Sequence, residues 1–326
     1  MSKYLKNIKT RMVAMGKLTT VIGTVFVDVK GFPQDKLHHD TRNVGQVEFV
    51  HGGVGRNVVE TLSKMGVECN FLSSVDKSGL GEEVLTRLKN CGVDTQYIKK
   101  APSSGMGMWL AILNEKGDLA LSISQMPNLS YMEKVIDKYG EEIFVKSDAI
   151  ILETDLNINI VNKILKLAKE HKVPVYGLVG NLELVREYPE IIGKLSCFIC
   201  NKAEAELLFG TILHSHEDVK KATLKLYEKG LEAAVITLGA QGSIYYGKGM
   251  KEPVHQKALK VQVVDTTGAG DAFFTGTVFG LVKGYDLSKA VICGTKAAAW
   301  TIESKESVCT DLDLKASQDK DFIATA

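Results

Sequence analysis

Residues 265–281 read DTTGAGDAFFTGTVFGL, preceded by the strand-like ALKVQVV of 258–264 and opening a helix from about Ala272 to Val282. The small residues Gly268, Ala269 and Gly270 let consecutive backbone N–H groups approach an anion at a helix N-terminus, where the peptide dipoles also favour negative charge. The segment is built like a phosphate cradle. Asp271, on the first turn, is a carboxylate beside that anion and suits a general base acting on a hydroxyl. A plainer account makes Asp271 a dipole-matching acid and the glycines a tight turn. Gly-Ala-Gly between two acids is more than capping requires, so the functional account is preferred.

Working outward, the chain after Asp148 alternates AIILET, a helix to about His171, PVYGLV, a helix, CFICN, helices to Gly230, AAVITLG and GSIYYG. Strands alternating with helices imply right-handed crossovers and an α/β fold, a mostly parallel sheet with helices on both faces and ligands at the carboxyl ends of its strands. Upstream, LTTVIGTVFV (18–27) reads as one buried strand leading into a loop at Asp28 and Gly31. QVEFV (46–50) alternates, Gly52 to Gly66 has helical spacing through Val58, Leu62 and Met65, and ECNFLSSVD is another strand. Two alternating runs between Met106 and Ser124 flank Asn114–Asp118, a β-hairpin. The strands within about 26–50 and 105–124 are too polar on one side to be buried, which makes them a small accessory sheet or lid. Residues 1–17 carry Lys3, Lys6, Lys9, Arg11 and Lys17 with no acid and no apolar core; a frayed basic extension is preferred to a targeting peptide. No repeat or low-complexity linker divides 18–326, which reads as one domain.

Composition agrees with an enzyme of small molecules. The 326 residues are 45% hydrophobic and 24% charged, with 6 Pro against 30 Gly, which excludes disordered, collagenous and disulfide-scaffold classes. Forty Lys+Arg against 39 Asp+Glu leave a charge of +1, no field to hold nucleic acid or an anionic membrane. No apolar run approaches the ~20 residues of a membrane span. Six cysteines form no framework, and a reduced, cytoplasmic protein is expected. Cys197 and Cys200 lie at an odd offset on one strand and so face opposite ways. His214 and His216 have no Cys or carboxylate cluster to complete a metal site and read as a solvated loop.

Three further segments carry chemistry. Gly52-Gly53-Val54-Gly55-Arg56-Asn57 opens a helix. As G-x-G-x-x-G it would use Gly53 and Gly55 with Asp76 as a ribose acid, but Val58 misfits the third glycine place. The alternatives are a two-glycine hinge that brings backbone against a ligand, with Asn57 offering donor and acceptor to hydroxyls, or a plain glycine turn. Asn201 and Glu204, at i and i+3 after CFIC, share a helical face where they could orient hydrated Mg²⁺, or they form a capping box. Thr237-Leu-Gly239-Ala-Gln-Gly242 closes AAVIT with a glycine turn that could be a simple hairpin. No G-x-x-x-x-G-K-[ST] is present, which excludes a P-loop.

In this order the segments resemble the pfkB family of carbohydrate and nucleoside kinases, with its ribokinase-like fold, over about residues 18–305. The signatures are GGVGRNVVETLSKMG (52–66) and DTTGAGDAFFTGTVFGL, with NKAE (201–204) as the family's N-x-x-E and TLGAQG (237–242) as its nucleotide turn. The resemblance implies ATP as phosphoryl donor and Asp271 as the base, with the amides of Gly268, Ala269 and Gly270 holding the transferring phosphoryl group. It places Mg²⁺ by Glu204 and Asn201, ATP by Thr237, Gly239 and Gly242 with Ala297–Ala299 near the adenine, and the sugar at Asp28, Gly52, Gly53 and Asn57. It also sets Asp265 and Thr267 near a monovalent-cation site (K⁺), and implies a lid that carries a homodimer contact. Phe26 stands where the family has Asn, and Phe32–Gly45, with Arg42 and Asn43, replaces its Pro-x-x-Gly-Glu-Thr. These departures, GGVGRN and the D-V-x-G of 28–31 are most similar to pseudouridine kinases. The expectation is phosphorylation of a primary hydroxyl of a ribosyl compound, pseudouridine first, other sugars second. A pyridine-nucleotide oxidoreductase or a non-catalytic sugar-binding relative stands outside that class.

Overall fold

Successive residues of a strand face opposite ways, so strands apolar at nearly every position must be covered twice. The computed structural model, which describes residues 17–323 apart from Asp155 and Asn181, meets that demand with a nine-stranded sheet. Its order is β13 (Val254–Gln256), β12 (Ser243–Gly247), β11 (Ala233–Thr237), β10 (Cys197–Asn201), β9 (Val175–Leu178), β8 (Ala149–Glu153), β1 (Leu18–Ile22), β4 (Glu68–Asp76) and β5 (Ile98–Ala101). Pairing is parallel from β5 across to β11, and antiparallel at β12 and β13. Val21, Ile151, Ile199 and Val235 pack towards the helices Val54–Lys64, Ala269–Val282 and Leu287–Ile302. Ile22, Leu152, Phe198 and Ile236 pack towards Ser130–Lys146, Ile158–His171 and His216–Tyr227. Cys197 and Cys200 fall on opposite faces, both as free thiols. No helix among the described residues is long and apolar enough to cross a membrane. The basic stretch of the N-terminus lies, but for Lys17, outside the described residues.

A second sheet has the order β3 (Gly45–Gly52), β2 (Phe26–Pro33), β6 (Gly107–Leu113), β7 (Leu119–Gln125). This is the accessory sheet that the polar alternation predicts. Its hairpin turns at Asn114, whose side-chain oxygen accepts from the amides of Lys116 and Asp118, both at 2.9 Å.

Two expectations fail, and each for a physical reason. LTTVIGTVFV is two strands in different sheets, because the chain breaks at Gly23–Val25, where the Thr24 amide donates to the Glu153 carboxylate at 2.7 Å instead of to a strand. Asp28 and Gly31 therefore lie within β2, not in a loop. ALKVQVV forms no strand: the amides of Val264 and Asp265 donate to the Ile302 carbonyl, and Val263 stays exposed. Its alternation is that of a segment laid along a pocket wall.

The helix Ala269–Val282 crosses Leu287–Ile302 at glycines. A Cβ on Gly280 would stand 2.6 Å from the Ala290 Cα, and one on Gly276 2.6 Å from the Cys293 carbonyl oxygen. Gly280→Leu is expected to force the pair apart and destabilise the fold by about 1–3 kcal/mol, as overpacking does. Urea unfolding that gave less than about 0.5 kcal/mol would refute so tight a crossing.

Candidate active site

The strand order reverses at β1, which has β4 on one side and β8 on the other, so a crevice opens beyond the carboxyl ends of β1 and β8. Glu153 closes β8 there, buried, accepting from the Thr24 amide at 2.7 Å and the Thr24 hydroxyl at 2.8 Å. Burial pushes its carboxyl above the usual range, opposed by those bonds and by the Gly55 amide. A Cβ on Gly23 would stand 2.5 Å from Glu153 Oε2 and one on Gly55 3.0 Å, so both glycines make room for this carboxylate. Sequence reasoning passed over Glu153; its one signal is an acid at the end of the apolar run AIIL.

Gly53, at φ +94°, turns the chain from β3 into the helix Val54–Lys64, and its Cβ would stand 2.7 Å from the Phe26 amide nitrogen and from the Thr24 carbonyl oxygen. The Arg56 guanidinium, 1% exposed, holds this hinge by donating to the carbonyls of His51 and Gly52. Its charge is met by Glu60 at 2.8 Å, and Glu60 is met in turn by Arg87 at 2.9 Å. Burial works to raise the Glu60 carboxyl, but hydrogen bonds from Arg87 and the charge of Arg56 outweigh it and hold Glu60 below its usual value. Arg56 also donates to Ser307 Oγ (3.2 Å), Ser307 donates to Asn57 Oδ1 (3.0 Å), and Asn57 Nδ2 donates to Asp271 Oδ2 (2.7 Å). Burial pushes the Asp271 carboxyl up to about 6, although Asn57 and Arg56 pull it down; Glu153 adds to the rise. Ser307, absent from the sequence reading, also lies against Gly268, where a Cβ would clash with the Ser307 backbone.

Two cavities flank this chain of bonds. A cleft of about 1030 Å³ between the lid and the main sheet is lined by Asp28, Gly52, Gly53, Asn57, Glu153 and Thr267, among others. A smaller pocket of about 140 Å³ is lined by Thr237, Gly239, Gly242, Gly270, Phe273 and Ala299. Asn57 on the cleft and Gly270 on the pocket bracket Asp271. Gly268, at φ +79°, caps the helix, and a Cβ on Gly270 would project into open space, which leaves the backbone there accessible to an anion, while the Ala269 amide is bonded to the Thr266 carbonyl at 3.2 Å. A triphosphate fits this arrangement.

Other expected residues are placed less simply. Asn201 pairs with Thr237 across β10 and β11, and it forms the reciprocal capping box with Glu204, at 2.7 and 2.8 Å. Burial raises the Glu204 carboxyl against the bond from the Asn201 amide. One carboxylate suits Mg²⁺ held mainly by phosphates and water; among the described residues no cluster of three or more His, Cys, Asp or Glu forms a cage. Asp265 and Thr267 both line the cleft, and the Thr267 amide, at 2.8 Å, holds the Asp265 carboxyl below its usual value. Arg42 and Asn43 do not line the cleft: Asn43 is spent on its own loop, bonded to the His38 amide and to the carbonyls of His38 and Thr41. The dinucleotide reading of 53–76 fails, since β3 belongs to the lid sheet and Asp76 accepts from the Gly105 amide.

Glu60→Gln would leave the Arg56 cation buried without its anion, and is expected to destabilise by about 3–5 kcal/mol. Arg87→Met, at a position 29% exposed, should do less harm. Denaturant unfolding compares them; equal small losses would mean that the buried charges do not hold the hinge.

The family model described as pfkB family carbohydrate kinase matches residues 17–312. A guanosine-inosine kinase of Exiguobacterium acetylicum is 34% identical over 88% of this chain and 95% of its own. A pseudouridine kinase of Escherichia coli is 28% identical over 83% and 86%. Among solved structures, a candidate sugar kinase from Clostridium perfringens superposes with a TM-score of 0.81 at 27% identity, covering 94% of this chain and 96% of that one. Arabidopsis thaliana ribokinase, complexed with ribose and ATP, does so at 0.80 and 21%, covering 94% and 100%, a likeness of fold. With nearly the whole length matched, the chain belongs to the pfkB family of carbohydrate kinases and has their ribokinase-like fold.

Proposed function

We propose that the protein transfers the γ-phosphoryl group of ATP to the primary hydroxyl of a ribonucleoside. The observation that carries this reading is Asp271, held at 2.7 Å by Asn57 on the wall of the large cleft and adjoining Gly270 on the wall of the smaller, glycine-walled pocket. Asp28, the Gly52–Gly53 backbone and Asn57 hold the ribosyl hydroxyls, and Thr237, Gly239 and Gly242 hold the nucleotide. Asp271 takes the proton of the primary hydroxyl as its oxygen bonds to the γ-phosphorus; the bond to the β–γ bridging oxygen breaks and ADP leaves with the electron pair. The amides of Gly268 and Gly270 receive the charge of the transferring group, joined by that of Ala269 when it leaves the Thr266 carbonyl. Mg²⁺ near Glu204 and Asn201 supplies charge neutralisation on the phosphates, and Asp265 with Thr267 suits a monovalent cation such as K⁺.

A nucleoside is favoured over a bare sugar because the cleft, about 1030 Å³, is at the top of the ~300–1,000 Å³ range of sites for drug-sized ligands. The named functions of the guanosine-inosine and pseudouridine kinase relatives point the same way. ADP release, screened over guanosine, inosine, pseudouridine, ribose and fructose with Mg²⁺ and K⁺ varied, tests the reading; a sugar as best acceptor refutes it. Asp271→Asn should lower kcat by ~10² to 10⁴ with a smaller change in the KM for ATP. Only the ionised carboxylate accepts the proton, so kcat/KM should rise with pH through about 6 and level off above. A loss of only a few-fold would leave Asp271 a capping acid.

A second copy of the chain is the partner that suits the outer face of the lid. The rows Phe49, Val29, Leu110, Ile123 and Val47, Gly31, Ile112, Leu121 run side by side across its four strands. Phe49 is 57% exposed, Leu121 61% and Ile123 64%, a contiguous apolar patch of the kind that marks an interface. Sedimentation should report a homodimer, and Ile123→Lys should shift it to monomer; a monomeric parent chain refutes the assignment.

A further inference from the structure

The lid's opposite face sets charged residues among apolar ones, and strand register orders what it presents. Asp28 pairs with Val50 and Trp109, and one step outward Lys30 pairs with Glu48 and Ala111. All six line the cleft. Lys30 follows Asp28 by two residues on one face, about 7 Å further from the hinge. A ribose held at Asp28 and Asn57 with its primary hydroxyl at Asp271 must therefore send its base outward under Trp109, Lys30 and Glu48. Trp109 has no other aromatic ring against it among the described residues, and it lines the cleft. Lys30 and Glu48 stand directly opposite on neighbouring strands, yet make neither an ion pair nor a hydrogen bond among the described residues. With no side-chain bond to break, the half-buried Lys30 and the exposed Glu48 can both turn to a ligand in the cleft. Burial raises the Asp28 carboxyl and the Lys30 ammonium works against that rise; Lys30 also adds to the lowering of Asp265, which the Thr267 amide leads.

Resting on the nucleoside reading above, we infer that this lid face recognises the lactam edge of the acceptor's base, with Lys30 donating to the ring carbonyl, Glu48 accepting from the adjacent ring N–H and Trp109 stacked on the ring. The chemistry is one-directional. A lysine ammonium has three donors and no acceptor, and an ionised glutamate has acceptors only. Side by side they match a carbonyl next to an N–H. An amidine edge, an exocyclic amine next to a bare ring nitrogen, sets donor against donor and acceptor against acceptor. Hypoxanthine, guanine and uracil carry the lactam; adenine and cytosine carry the amidine. Because the edge is independent of ring size and of a C- or N-glycosidic bond, one lid can serve both 6-oxopurine nucleosides and pseudouridine. Base recognition thus falls to residues that line the cleft, which Arg42 and Asn43 do not.

Inosine and adenosine differ only at this edge, so their kcat/KM ratio on the full chain at saturating ATP isolates it. The parent should favour inosine by at least ~10², and Glu48→Gln and Lys30→Met should each shrink that ratio by about tenfold or more, the effect of a charge-assisted bond. A ratio taken within one variant is unaffected by a partly folded sample. Trp109→Ala should raise the KM of both nucleosides together. An unchanged ratio in both charge variants, or a parent that prefers adenosine, overturns the lid assignment while leaving a nucleoside kinase. Phosphorylation of ribose and of no nucleoside overturns the assignment and the nucleoside reading together.

Discussion

A guanidinium placed in the interior must have its charge answered and its five N–H groups directed at acceptors, or the fold does not tolerate it. Arg56 is so placed, 1% exposed, and the geometry around the cleft follows from how its bonds are directed. Glu60, clamped by Arg87 at 2.9 Å from the far side, supplies the counter-charge. The remaining donors go to the His51 and Gly52 carbonyls, which fix the turn joining lid to main sheet, and to Ser307, which draws in a segment remote in sequence. Ser307 then decides which way the Asn57 amide points: its hydroxyl takes Oδ1, so Nδ2 is left for Asp271. Hinge, amide, carboxylate and cradle are one connected body of hydrogen bonds, and such a buried polar network rigidifies a site.

The same network sets the protonation of Asp271. Burial disfavours the Asp271 anion, Arg56 and Asn57 favour it, and Glu153 works against it; the balance near 6 leaves Asp271 ionised at neutral pH yet basic enough to take a hydroxyl proton in transit. Glu153 shares the site without duplicating this role, since both its oxygens are already engaged by Thr24. Two carboxylates in different environments are thereby given different work.

Periodicity made the layered core legible, because alternation and helical spacing report which faces are buried and say nothing more. The strands of CFICN, AAVIT and ECNFLSSVD and the hairpin at Asn114 were readable on that ground. The same signal misled at 18–27, since a run that leaves one sheet for another keeps its apolar character through the break at Gly23. It misled again at 258–264, where alternation lines a pocket. At the site, the glycines and Asp271 announced themselves locally through backbone and capping chemistry. Glu153 and Ser307 did not, because their roles exist only through partners at a distance, Ser307 lying 250 residues from Asn57. Asn43 shows the converse: a polar residue in a promising loop whose bonds are consumed by that loop.

The lid joins two tasks through a single geometric fact, the two-residue repeat of a strand. Along β2, Asp28 and Lys30 face the cleft while Val29 and Gly31 face outward, and β3 repeats this with Glu48 and Val50 inward and Val47 and Phe49 outward. A slip of one residue would turn the charges to the outer patch and the valines to the substrate, so the register must be pinned. The hinge pins it, since a Cβ on Gly52 would fall 2.8 Å from Asp28 Oδ1, and only glycine lets the strand end so close to that carboxylate. Arg56 holds the Gly52 carbonyl in place from below. The buried charge that aligns Asn57 with Asp271 thus also fixes which face of the lid turns to the cleft.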